Sequence, residues 1–140
     1  MMPGDLRAKV EAQMGGVRRS HPAKVEEALR DIGVDPASEF GKFFSEYVIT
    51  FYRSQKSFVE LCDLLEPNPE VLLSTKFVRE AWGLPDRYVC FSVLQGEGGY
   101  LYDRQNGWVF DFDLSDLEEL LSGRLQPGWK GFFEFMEWYL

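Results

Sequence analysis

The chain is poor in the residues that do most chemistry. Its 140 residues include two cysteines, Cys62 and Cys90, and one histidine, His21. Two thiols make no disulfide framework, and without a CxxC spacing they make no zinc site. With one histidine, any serine triad or multi-histidine metal centre would depend on His21 alone, and that residue stands beside Pro22 at a helix start. No stretch approaches the ~20 apolar residues of a membrane span. The opening MMPGDLRAKVEAQMGG is charged and lacks the apolar run of a signal peptide. The expectation is a soluble, cytoplasmic protein. No repeat, low-complexity tract or long linker divides the chain, so one domain over residues 1–140 is expected, with residues 1–19 as a loosely attached N-terminal helix.

Aromatic residues and acids are what the chain does have. Twelve Phe, six Tyr and four Trp are enough to build a core and leave rings for an interface. The net charge is −8, and residues 86–119 hold eight acids against two bases. Such a field repels nucleic acid and speeds encounter with a basic partner. An acidic surface kept for solubility is the plainer alternative.

Periodicity places the elements. Leu6, Val10 and Met14 form a short amphipathic start, closed by Gly15-Gly16. In SHPAKVEEALRDIG, Ser20 can cap a helix, Pro22 suits its first turn, Val25, Leu29 and Ile32 make one stripe, and Gly33 is the stop. Phe40, Phe43, Phe44, Tyr47 and Val48 predict a second helix, giving way to extended chain near Ile49–Tyr52. A strand is expected around residues 57–62, with a turn at Pro67–Pro69. Thr75 can cap a short helix with Phe77, Val78 and Ala81 on its apolar side, ended by Gly83 and Pro85. YVCFSVL reads as a strand covered on both faces. Phe132, Phe133, Phe135, Met136 and Tyr139 line one side of a terminal helix that should close over the sheet. The fold class expected is α+β, a largely antiparallel sheet packed with helices.

The stretch GEGGYLYDRQNGWVFDFD, residues 96–113, is the most informative. Asn106-Gly107 between alternating aromatic runs is a strong hairpin signal. A two-residue turn pairs Arg104 with Val109 and Tyr100 with Asp113. A four-residue loop slides the pairs but keeps the same two faces, and a three-residue loop exchanges them. One face collects Leu101, Trp108, Phe110 and Phe112, with Asp103 and Gln105 towards the tip, and reads as core. The other collects Tyr100, Tyr102, Arg104, Val109, Asp111 and Asp113 and reads as an outward surface suited to recognition.

Chemical readings of the same letters are weaker. A phosphate loop needs its glycines to lead into a helix, whereas GEGG leads into a strand, so Gly96, Gly98 and Gly99 are read as positive-φ turn positions. Asp111 and Asp113, about 7 Å apart on strand geometry, could pair for acid–base work or hold a hard cation. Arg104 lies diagonally close enough to neutralise Asp111, however, and a solvated face is the simpler account. Cys90 reads as inert packing, Cys62 has no basic neighbour to activate it, and Glu134 and Glu137 read as the wet side of the last helix.

The run TKFVREAWGLPDRYVCFSVLQGEGGYLYDRQNGWVFDFD, followed by the aromatic Phe132, Phe133, Glu134 and Phe135, resembles the SUKH superfamily in its Smi/Knr-type branch over residues 74–140. The likeness is a short helix ending in a GLP-like turn, a "YV.F" strand, a glycine-acidic turn, a "YLYD" strand, a "G.VF.FD" strand and a closing "F.EF" segment. It implies a single α+β domain that binds proteins, commonly as an immunity protein that neutralises a cognate bacterial toxin such as a nuclease or deaminase. It implies no catalytic residue, cofactor or metal. The partner-binding candidates are Glu97, Tyr100, Tyr102, Asp111 and Asp113, with Asp116, Glu118 and Glu119 able to serve as well. The expected partner is a toxin domain with a basic surface; neither nucleic acid nor membrane is expected to bind directly. Two alternatives stand beside this: a regulatory or scaffolding protein of the same fold, and a hydrolase or metal-dependent enzyme using Asp111 and Asp113.

Overall fold

In the computed structural model, which describes residues 2–13, 17–50, 52–65 and 70–140, three helices come first. Helix α1 (Gly4–Glu11) buries Leu6 and Val10 completely and packs against the last helix of the chain. The N-terminal helix expected to be loosely attached is therefore part of the core. Met14, Gly15 and Gly16 lie outside the described residues.

Helix α2 (Pro22–Asp31) turns Val25, Leu29 and Ile32 inward, with Pro22 where a missing N–H costs nothing. Ser20 does not cap it; His21 holds the cap position without a side-chain bond. Gly33 closes the helix at φ +72°. The Arg104 guanidinium donates to the Gly33 carbonyl at 3.2 Å and fills the space that a Cβ on residue 33 would need. Helix α3 (Glu39–Glu46) is capped by Ser38, whose Oγ accepts from the Gly41 N–H at 3.0 Å, and it buries Phe40, Phe43 and Phe44. The extended segment that follows is β2 (Tyr47–Val48), two residues earlier than composition suggested, and pairs antiparallel with β1 (Val17–Arg18). Phe51 lies outside the described residues.

A buried ion pair ties this half together. Arg19 donates to both Asp63 oxygens, at 2.8 and 2.9 Å, and to the carbonyls of Phe44 and Tyr47, each at 3.0 Å. Asp63 also accepts from the Ile49 and Leu65 N–H groups at 2.9 and 3.1 Å. Charge this deeply buried survives only because its hydrogen bonds are made.

The second half runs α4 (Val71–Ala81), β3 (Tyr88–Cys90), β4 (Gly98–Asp103), β5 (Val109–Asp113), a single 3₁₀ turn (Leu114–Asp116), α5 (Leu117–Leu121) and α6 (Phe132–Tyr139). The three strands form an antiparallel sheet in the order β3-β4-β5. Residues 57–62 form no regular strand. They run extended beside the chain after β3, with one bridge between Leu61 and Ser92 and hydrogen bonds from Cys62 N to Phe91 O and from Val93 N to Glu60 O. The expected turn at Pro67–Pro69 lies outside the described residues.

Helix α4 begins four residues before Thr75, so Thr75 is no cap. Its buried hydroxyl instead accepts from the Cys90 N–H at 3.0 Å and donates to the Cys90 carbonyl at 3.3 Å. Val78 points inward, while Phe77 and Ala81 stay exposed.

Both faces of the sheet are covered, making an α+β arrangement of helices, sheet and helices. Val89, Phe91, Tyr100, Tyr102 and Val109 face the larger core with α1, α2, α3 and α6. Tyr88, Cys90, Leu101, Phe110 and Phe112 face a smaller one with α4 and α5. Phe40 sits centrally in the larger core, its ring 4.6, 4.7 and 5.0 Å from those of Phe44, Tyr102 and Phe132. Rings at such separations add about 0.5–1.5 kcal/mol per pair beyond their burial. Among the described residues no helix is long and apolar enough to cross a membrane.

Candidate functional site

The β4–β5 hairpin decides which side chains can meet a partner. It pairs Tyr102 with Val109, Leu101 with Phe110, Tyr100 with Asp111, Gly99 with Phe112 and Gly98 with Asp113. The connection is a four-residue loop, residues 104–107. The Asp103 carbonyl accepts from Gly107 N and Asp103 N donates to the Trp108 carbonyl, both at 2.8 Å. Asp103 Oδ1 and Asn106 Oδ1 each fold back onto a backbone N–H within the loop. Sliding the pairs by two residues leaves the two faces as the sequence divided them.

The face read as outward is not outward along its length. Tyr100 and Tyr102 are each 3% exposed. Tyr102 stacks towards Phe40, while Tyr100 lies 4.8 Å from Phe135 and 6.0 Å from Trp129. Both rings pack into the core that α3 and α6 share with this face of the sheet. Their hydroxyls reach the edge of the core, where Tyr100 Oη meets Ser57 Oγ at 2.7 Å. Burial pushes both phenol pKa values up.

The three carboxylates among the candidates remain exposed. Glu97 sits on the turn from Gln95 to Gly98, and its carbonyl accepts from Leu114 N at 2.8 Å, which ties that turn to the end of β5. Only Gly96 in this turn has positive φ, +61°. Gly98 and Gly99 are needed for close approach instead: a Cβ on Gly98 would stand 2.9 Å from the Phe112 carbonyl oxygen, and one on Gly99 would stand 3.1 Å from Ser92 Oγ.

Asp111 and Asp113 have unlike surroundings. Asp113 accepts from Ser115 N at 2.9 Å and Ser115 Oγ at 2.7 Å, and its own N–H donates to Asp116 Oδ2, a reciprocal cap on the turn before α5. Those bonds hold its pKa below the ordinary aspartate value. Asp111 is pushed the other way, first by partial burial and then by the charges of Asp116 and Asp113. Arg104 does not neutralise it, being occupied at Gly33. Among the described residues none of Glu97, Asp111, Asp113, Asp116, Glu118 or Glu119 is in an ion pair.

Aromatic groups gather around Tyr100, the cross-strand partner of Asp111. Trp129 bonds main chain to main chain with Val109, and its ring lies 4.8 Å from that of Trp138; both are half-buried. Phe58, next to the Ser57 that meets Tyr100, is fully exposed. None of these three was singled out from sequence. Two weak signals were there to be read: Trp138 falls just off the buried stripe of α6, and Phe58 follows the polar run RSQKS.

The remaining candidates stand apart. His21 is exposed at the start of α2. Cys62 and Cys90 are buried free thiols, raised by burial to about 12 and about 11, so neither is a ready nucleophile. Glu134 is exposed and Glu137 half-buried. Comparison with protein-family models, with curated proteins and with solved structures finds no match for this chain.

Proposed function

We propose that the chain is a non-catalytic protein-binding domain whose acidic sheet end meets a basic protein partner. We further propose that this partner is a bacterial toxin domain neutralised by occlusion, with a nuclease or deaminase as the class that the SUKH resemblance implies. The observation that carries the reading is the group Glu97, Asp111, Asp113 and Asp116, left without a cation among the described residues, with Trp129 and Trp138 packed on Tyr100, the cross-strand partner of Asp111. Unpaired acids draw a basic surface in, and half-exposed tryptophans are the residues on which binding energy concentrates. Two further facts support it. The elements over residues 71–139 follow the helix, strand, strand, strand, helix order that the resemblance implies, and both thiols are inert.

Glu97→Lys with Asp111→Lys is the sharpest test, because neither side chain holds the fold together. Binding to the toxin domain encoded beside this gene, followed by calorimetry, should weaken at least tenfold, and co-expressed cells should lose protection. An unchanged affinity with the fold intact would remove the acidic end as the binding surface. Binding without protection would favour a regulatory or scaffolding role on the same surface.

A further inference from the structure

On the opposite side of the sheet, between β3, β5 and α5, lies a cavity of about 230 Å³. Its walls include the rings of Tyr88, Trp108 and Phe110, with Tyr88 and Trp108 set edge to face against Phe110 at 6.0 and 6.5 Å. Arg87 and Asp103 also line it. Asp103 is 1% exposed and fully used: it takes Arg87 Nε and Nη2, the latter at 2.6 Å, and the Gln105 N–H. The Arg87 guanidinium lies 5.4 Å over the Tyr88 ring and is 34% exposed.

Three donors at this cavity have no partner among the described residues. Arg87 Nη1, the Asn106 amide N–H₂ and the Trp108 indole N–H make no hydrogen bond with any described residue, and all are donors. The ion pair is neutral within itself. An occupant with an apolar body and neutral acceptor oxygens, as an amino-acid residue inside a peptide chain has, fits these rings and meets these donors. The mouth adds a second constraint. Leu121, on the rim, is 53% exposed, and Glu118 lies one turn back on the same helix with exposed Glu119 beside it. Exposed Arg124 follows the lining Gly123, so the border carries two acids against one base, and with the apolar rim it suits an aromatic residue with cationic neighbours.

We infer that this cavity receives one Phe or Tyr side chain from a basic peptide segment of a protein partner, whose carbonyl oxygens take the free donors of Arg87 and Asn106. The inference rests on the protein-binding reading above and adds a second, separate contact to it.

The test uses the full chain and defined probes: the N-acetyl amides of phenylalanine, tyrosine and alanine, the capped tripeptide Lys-Phe-Lys, and benzamide. Binding is followed through the Trp108 indole N–H resonance, assigned with Trp108→Phe. The aromatic amides should bind with a Kd on the order of 1 mM and the alanine amide at least tenfold more weakly. The tripeptide should bind several-fold more tightly at low salt and lose that advantage at high salt. Leu121→Trp, which fills the mouth from an exposed position, should abolish the shifts while circular dichroism stays unchanged. No shift in the folded wild type, equal binding of alanine and phenylalanine amides, or shifts that persist in Leu121→Trp would each overturn the inference. So would benzamide binding as well as the tripeptide, which would make the cavity a small-molecule site. If the partner binds but these probes do not, only the cavity is wrong. If the probes bind while Glu97→Lys with Asp111→Lys leaves the partner untouched, only the acidic end is wrong.

Discussion

Among the described residues two arginine–aspartate pairs have a buried carboxylate, and they differ in how far they are sealed. Arg19 and Asp63 are 4% and 0% exposed, and every bond they make leads back into the protein: to Phe44, Tyr47, Ile49 and Leu65. Arg87 and Asp103 share the same two-toothed geometry, yet Arg87 is 34% exposed and keeps one nitrogen free at a cavity wall. Identical chemistry thus serves two ends. The first pair replaces secondary structure where the chain between β2 and α4 has little of its own. The second is held rigid by its carboxylate while still able to meet something from outside.

The contrast can be broken most violently at Asp63. Asp63→Ala leaves a buried guanidinium with no counter-charge and frees two backbone N–H groups, so it should cost about 3–5 kcal/mol in urea unfolding. Arg87→Ala should cost less, about 1–3 kcal/mol, because Asp103 keeps the Gln105 N–H and can draw water through the cavity mouth. Equal losses at the two sites would erase the distinction between sealed and open.

A milder version of the comparison sits at the acidic end, between Asp113, whose bonds are made, and Asp111, whose are not. Asp113 has its pKa lowered below 3.8 by Ser115, so its stabilisation is complete above the unfolded value and is lost as pH falls through the lowered one. Asp111 has its pKa raised above 3.8, so its charge opposes folding at neutral pH and that opposition is relieved as pH falls through the raised value. Asp113→Asn should therefore lower Tm at pH 7, with the deficit shrinking as the pH is taken below the lowered value. Asp111→Asn should hold or slightly raise Tm at pH 7, with the difference gone in acid. Calorimetric scans from pH 2 to pH 7 would show it, and a loss of Tm at both sites would mean that the two carboxylates are alike.

Much of the second half was legible from residue order. The alternation around Asn106-Gly107 yields the two faces of the hairpin even though the loop has four residues, since a shift of two preserves which side chains lie together. Phe132, Phe133, Phe135, Met136 and Tyr139 are the buried side of α6 as spaced. Polarity misled the reading where a side chain has two characters. Tyr100 and Tyr102 share a hairpin face with Arg104, Asp111 and Asp113 and so look wet, but their rings are core and only their hydroxyls reach its edge. Thr75 resembles a cap by type and is instead a partner for backbone fifteen residues away. Arg19 and Asp63 stand 44 residues apart, and no local pattern announces such a pair. The acidic end was found through its charge excess, while the tryptophans packed on Tyr100 were not, because a half-buried ring has no periodicity of its own.

The sheet is only three strands wide, yet much of each margin is already taken. On the β3 side, the Thr75 hydroxyl occupies the N–H and carbonyl of Cys90, and Arg79 reaches the Tyr88 carbonyl. On the β5 side, Trp129 takes Val109 and Asp116 takes the Asp113 N–H. Side chains and a loop at both flanks leave only a short run of free ladder for edge-to-edge β-addition. A partner of the kind proposed would therefore have to be met by side chains rather than by an added strand.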